Sequence, residues 1–151
     1  MTNTPVSPRS WIYHVALSYA SEQREYVERV AKALAGRGIS YYYDRDDPAL
    51  LWGRHLAEEL PRIYERDAAT VVIFSSVDYA EKDWTRLERR AALSRAVKER
   101  REYVLLARFD TTELDGILQD LAYVDLGGLS AEAFAGMIID KLGRLGLLSA
   151  P

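Results

Sequence analysis

Five short runs of apolar, β-branched or aromatic residues recur along this chain with segments of helical period between them, and that alternation leaves few architectures open. The runs are WIYHVALS (11–18), ISYYY (39–43), ATVVIFS (69–75), YVLLARF (103–109) and AYVDL (122–126). Each has the length and composition of a strand. The segment 22–34 places Val27, Val30, Ala31 and Leu34 on one face, with Ser21 to cap it and Gly36 and Gly38 to stop it. Residues 54–66 keep Leu56, Leu60 and Ile63 in register, although Pro61 must kink or shorten that helix. Helices are also predicted over 79–93, around 114–118 and over 131–145, the last with Phe134, Met137, Ile138 and Leu142 inward. Strands alternating with helices require crossover connections, hence a parallel sheet covered on both faces. The expected fold is therefore α/β: one domain at 11–146 between a flexible tail at 1–10 and a C-terminal tail or linker at 147–151.

Composition removes several functions. Net charge is −3, which gives no general attraction for nucleic acid or anionic lipid. Cysteine is absent, so disulfides, thiolate catalysis and cysteine-based zinc sites are excluded, and a reducing cytoplasm suits the chain. No apolar run approaches membrane-spanning length. The only glycine cluster, at 36–38, ends a helix instead of opening one, so it is neither a dinucleotide fingerprint nor a phosphate loop. The acids of DRDDP (44–48) lack the glycine and closing Glu of a calcium loop and read as a turn. His14 and His55 share no motif and read as structural, so no metal site is expected. Arg86, Arg89, Arg90, Arg95, Arg100 and Arg101 form a basic strip that reads as a solvated face or a protein contact.

In an open parallel sheet, ligands bind beyond the carboxyl ends of the strands, where strand order reverses. With a flavodoxin-like order the first and third strands flank that point. Ser18 and Tyr19 follow the first strand, Tyr43 and Asp44 end the second, and Ser76 follows the third. The stretch YAEKDWTRLERRAAL (79–93) leaves the third strand and contains an unusual acid. Three and four residues from Glu88 stand Trp84, Thr85, Ala91 and Ala92, none of them basic. On a continuous helix Ala80, Trp84, Leu87 and Ala91 form the stripe that packs on the sheet, and Glu88 lies about a quarter-turn off its centre. Geometry alone leaves two readings: a boundary acid satisfied by a distant arginine, or a functional carboxylate at the edge of a cleft. The first is the commoner outcome.

Four pieces in order then resemble one family. HVALSYASEQREYVERVAKAL is similar to the opening box of Toll/interleukin receptor (TIR) domains. GISYYYDRDDPALLWGRHLAEEL resembles their second strand and the following BB loop. VVIFSSVDYAEKDWTRLERRAAL carries a strand, Ser, Tyr, a Trp, and a Glu four residues after that Trp, and YVLLARFDTTELDGILQDLAYVDL resembles the tail of bacterial members. The likeness covers roughly 12–145 and is strongest to bacterial TIR domains of anti-phage immunity. LLWG (50–53) stands where many relatives have a Pro-Gly turn, and Thr85 where many have Cys.

The resemblance implies a flavodoxin-like five-stranded parallel sheet with helices on both faces, the TIR fold. It also implies an NAD⁺ glycohydrolase or cyclase in which Glu88 is catalytic. Ser18, Tyr19, Tyr43, Asp44, Trp52, Ser76 and Trp84 are then the expected substrate-binding residues. NAD⁺ is substrate, with no cofactor. Self-association through the BB loop, about 44–53, is expected to switch the activity on, under a sensor domain or protein. A cytoplasmic location follows, without membrane or direct nucleic-acid contact. The alternative is a non-enzymatic TIR module, adaptor or virulence factor, acting through TIR–TIR contacts; adaptors generally lack the Glu.

Overall fold

The computed structural model describes residues 11–44, 53, 60–115 and 121–148, and for Tyr43, Asp44 and Glu88 the backbone alone. Five strands, β1 (Tyr13–Ser18), β2 (Tyr41–Asp44), β3 (Ala68–Ser75), β4 (Val104–Arg108) and β5 (Tyr123–Asp125), form one sheet in the order β2-β1-β3-β4-β5. All four pairings are parallel, with Val15 opposite Tyr41 on one side and Thr70 on the other. This is the expected flavodoxin-like order, and the strands differ from the predicted runs only at their ends. Every residue of β3, the central strand, is buried, which is why its sequence is a continuous apolar run without alternation.

Alternate residues feed two cores. Val15, Leu17, Val72, Phe74 and Ala107 face helices α1 (Arg24–Ala35) and α3 (Ala131–Arg144). Phe74 there meets Phe109 at 6.1 Å and Phe134 at 5.7 Å between ring centroids. α1 buries the predicted Val27, Val30, Ala31 and Leu34. Its chain reverses through Gly38, at φ +78°, while the Ile39 N–H bonds back to the Leu34 carbonyl at 3.0 Å; glycine takes that backbone at least cost. α3 starts at Ser130, whose hydroxyl accepts the Ala133 N–H at 3.0 Å. The inward stripe of α3 is Ala131, Phe134, Ala135, Ile138, Ile139 and Leu142. Met137, predicted inward, is 44% exposed because Ala135 and Ile139 take the seam.

The opposite face packs Ala16, Val71, Ile73 and Leu106 against helix α2 (Leu87–Glu99) and two wide-wound π segments, Ile63–Asp67 and Tyr79–Asp83. The helix expected over 54–66 has Pro61 one turn before the first π segment; residues 54–59 lie outside the described part. Leu114 is buried in an irregular stretch, and the short helix expected around it falls largely on 116–120, which are not described. The single helix expected over 79–93 is two pieces. The coil widens through Tyr79–Asp83, breaks at 84–86 and restarts at Leu87. Leu87, predicted to pack on the sheet, is therefore 78% exposed and Ala91 is exposed too. Arg89, Ala92, Leu93 and Ala96 form the buried stripe instead.

Candidate active site

The carboxyl ends of β1 and β3 lie side by side at the switch point, and the segments leaving them are joined by side chains. The Ser18 hydroxyl, fully buried at the end of β1, is 2.8 Å from the Tyr79 hydroxyl. Ser76 caps the turn after β3: its Oγ accepts the Tyr79 N–H at 3.0 Å and donates to Gln23 Oε1 at 3.0 Å. Outside this pair, Lys82 bonds Glu22. The Lys82 hydrogen bond holds the Glu22 carboxyl below its ordinary range, and the same contact raises the lysine. Asp110, just beyond β4, accepts the Val77 N–H at 3.0 Å and the Thr112 N–H at 2.9 Å. Burial alone would raise the Asp110 carboxyl, yet bonds from Thr112 and Val77 outweigh it and leave its pKa lowered.

Trp84 stands at the break between the π segment and α2. It is 2% exposed, and its indole N–H donates to the Asp115 carbonyl at 3.0 Å. The Arg90 guanidinium lies 5.3 Å from its ring centroid and bonds the same carbonyl at 3.1 Å. Across the break, Arg89 donates to Asp83 Oδ1 at 3.0 Å, with side-chain exposures of 5% and 14%. Position 88 opens the first turn of α2, about a quarter-turn from the centre of the Arg89–Ala96 stripe. The edge placement expected for Glu88 thus persists, although the stripe that defines it is a different one.

Each expected site residue has a definite place. Ser18, Ser76 and Trp84 gather around Tyr79, whose ring centroid lies 6.5 Å from that of Trp84. Tyr19 is buried toward α1, on the other core. Asp44, paired with Ser18 in the sheet, carries the end of β2 to the same edge, beside Tyr43. The side chains of Tyr43, Asp44 and Glu88, and all of Trp52, lie outside the described residues; in the BB loop Gly53 alone is described, at φ +84°. His14 is structural, its ring nitrogen taking the Ser40 N–H at 3.0 Å and tying β1 to the approach of β2. Two members of the supposed solvated basic strip are inside: Arg89, and Arg100, which donates to the Tyr64, Ala68 and Ala69 carbonyls at 2.8, 3.0 and 2.6 Å. Desolvation lowers the pKa of that Arg100 guanidinium. Gln23, Asp83 and Arg89 were not among the expected site residues. A groove of about 710 Å³ against α3, lined by Val104, Tyr123, Phe134 and Met137, is separate from the strand carboxyl ends.

A sequence model of the family described as "TIR domain" matches residues 15–138. The chain belongs to the TIR-domain family. It is 46% identical over 136 residues to the 3′ cyclic ADP-D-ribose synthase AaTIR of Aquimarina amphilecti, covering 90% of this chain and 42% of that protein. The disease resistance protein RPV1 of Vitis rotundifolia is 35% identical over 85 residues, covering 55% of the chain and 6% of the plant protein. In architecture this TIR domain resembles a metazoan TIR-STING receptor from C. gigas solved with 2′,3′-cGAMP. That likeness has a TM-score of 0.68 and 15% identity, over 93% of this chain and 42% of the receptor. The chain thus spans less than half the length of each of these relatives. No helix among the described residues of this TIR domain is long and apolar enough to cross a membrane.

Proposed function

We propose that this TIR domain cleaves the nicotinamide–ribose bond of NAD⁺ and closes the remaining nucleotide into a cyclic ADP-ribose isomer. One observation carries the reading: 46% identity, over 90% of the chain, to a protein named as a cyclic ADP-D-ribose synthase. Position 88, at the start of α2 beside the switch point, supports it.

The nicotinamide of NAD⁺ is cationic on the ribose anomeric carbon and leaves as a neutral ring, taking the electron pair of the broken C–N bond. No acid has to protonate it. Developing oxocarbenium charge is what must be met, and the Glu88 carboxylate meets it, with hydrogen bonds to ribose hydroxyls. A hydroxyl of the same molecule then bonds the anomeric carbon and loses its proton; water in its place gives linear ADP-ribose. Ser18, Tyr19, Tyr43, Asp44, Trp52 and Ser76 line or support the substrate site, and Trp84 forms its wall. NAD⁺ is consumed as substrate and no cofactor takes part.

The same reading makes the chain a cytoplasmic bacterial immune effector or signal generator, silent until the loop at 44–53 joins copies under a sensor. The test is nicotinamide release from NAD⁺ at high protein concentration with a crowding agent, products separated by mass and retention. Wild type should turn over, and Glu88→Gln should lose about 10²–10³-fold or more in kcat, the scale for losing one transition-state stabiliser. Turnover by Glu88→Gln at the wild-type rate would sink the assignment.

A further inference from the structure

The geometry points to Arg89 as the positioning residue for Glu88, acting through its buried ion pair with Asp83; this rests on the catalytic reading of Glu88. Three observations lead there. The chain between β3 and α2 is not one rigid rod, because it widens at Tyr79–Asp83 and breaks at 84–86 before Glu88 arrives. α2 also lacks a side-chain cap on its first turn: Arg86 sits at the N-cap with extended backbone, φ −78° and ψ 118°. Regular coil therefore does not by itself fix the phase of the turn that carries Glu88. Finally, the contact that does span the break belongs to the very next residue, Arg89 to Asp83 at 3.0 Å, nearly out of solvent.

Removal from water makes this pair different from the other ion pair on the same helix. Arg95 reaches Glu65 at 2.9 Å with 49% of its side chain exposed, a geometry of little energetic consequence. A buried pair is instead intolerant of losing one partner, since the remaining charge is left in a poorly solvating interior. The planar guanidinium also directs its donors in a fixed fork that lysine lacks. The second guanidinium, Arg90, holds the other side of the turn by lying over Trp84 and bonding Asp115. Glu88 is thus followed immediately by two anchored residues. Of the two, Arg89 ties α2 to the segment coming from β3, so it sets the height and rotation at which position 88 meets the strand ends. A displacement of 1 Å in a reacting group is enough to cost about 100-fold in rate.

The decisive variant is Arg89→Lys, which keeps the buried charge balanced and removes only the fork. Beside it stand Glu88→Gln, Arg89→Gln, the double variant Asp83→Asn/Arg89→Gln and the exposed control Arg95→Gln. Nicotinamide release from NAD⁺ is followed per folded molecule, with folding checked by circular dichroism and assembly by light scattering. Arg89→Lys should stay folded and assembled and lose about 10- to 100-fold in kcat, with KM for NAD⁺ within about twofold. The double variant, whose two amides bond without charge, should recover part of the loss of Arg89→Gln, and Arg95→Gln should match wild type. Wild-type kcat in folded Arg89→Lys, with Glu88→Gln silent, would overturn the inference alone. An equal loss in Arg95→Gln would overturn it as well, because any loosening of α2 would then suffice. Wild-type turnover by Glu88→Gln removes the catalytic reading and this inference together.

Discussion

The two faces of the sheet are built by different rules. On one, α1 and α3 are regular helices with unbroken apolar stripes, closed by a cluster of Phe74, Phe109 and Phe134. On the other, two π segments and a broken helix bury Asp67, Ser76, Asp83 and Arg89 with aromatics and aliphatics. The first face is held by shape and area, which tolerate little loss of volume but specify no orientation finely. The second is held by directional bonds, each of which fixes an angle. The proposed catalytic carboxylate lies on the second. Stability and positioning are thereby separated across one sheet, and substitutions on the two faces should fail differently.

The largest expected effect on stability falls on the regular face. Phe134→Ala empties the meeting point of α3 and Phe74 and should cost about 3–5 kcal/mol in a denaturant titration. At a temperature where the variant is still folded, its kcat should equal that of wild type; a matching fall in kcat would break the contrast. Tyr79→Phe, on the irregular face, removes the 2.8 Å bond to Ser18 and should cost only about 1 kcal/mol. Its nicotinamide release should nevertheless fall, because the bond joins β1 to the segment leading to Glu88. Unchanged turnover would place Tyr79 with the plain core residues.

The smallest effect is a pH dependence. The folded-state pKa of Asp110 lies below its ordinary value of 3.8. An acid depressed in the folded state contributes its stability above the ordinary value, and loses it as pH falls through the folded one. Acidification into that region should therefore release the Val77 and Thr112 amides first. Hydrogen exchange at those two amides, against the Ala133 amide at the start of α3, reads the difference. Equal acceleration at both would refute a local release.

The same contrast explains what could be read in the sequence. β1, β3 and β4, α1 and the order of elements were legible because burial imposes a period on residue types, and these elements keep that period throughout. α3 was legible except for Met137, which stands at the margin of the stripe, where a flexible side chain fits either environment. The break at 84–86 left no such trace. Residues 79–93 carry helix formers throughout, and a wheel drawn across them assumes constant rotation per residue. On that wheel Asp83 and Arg89 stand about 120° apart and cannot meet; only the interruption brings them together. Glu88 itself was found through its spacing from Trp84, and its quarter-turn placement was reached from a stripe that does not exist. Arg89 and Arg100 were assigned to solvent because charge type is an average rule, whereas their burial depends on partners supplied from elsewhere in the chain.

The wide turn at Tyr79–Asp83 has a consequence for how this chain tolerates mutation by length. A π turn holds one more residue than an ordinary helical turn. Deleting a single codon there would let the coil close into regular helix, so that everything downstream arrives about 100° out of phase. Arg89 would then swing from the core, with Glu88 carried round beside it. Substitutions along 79–83 change only what the segment touches; a change in its residue count would retime the helix that follows. The number of residues between β3 and Glu88 is accordingly a more stringent inheritance than their identity.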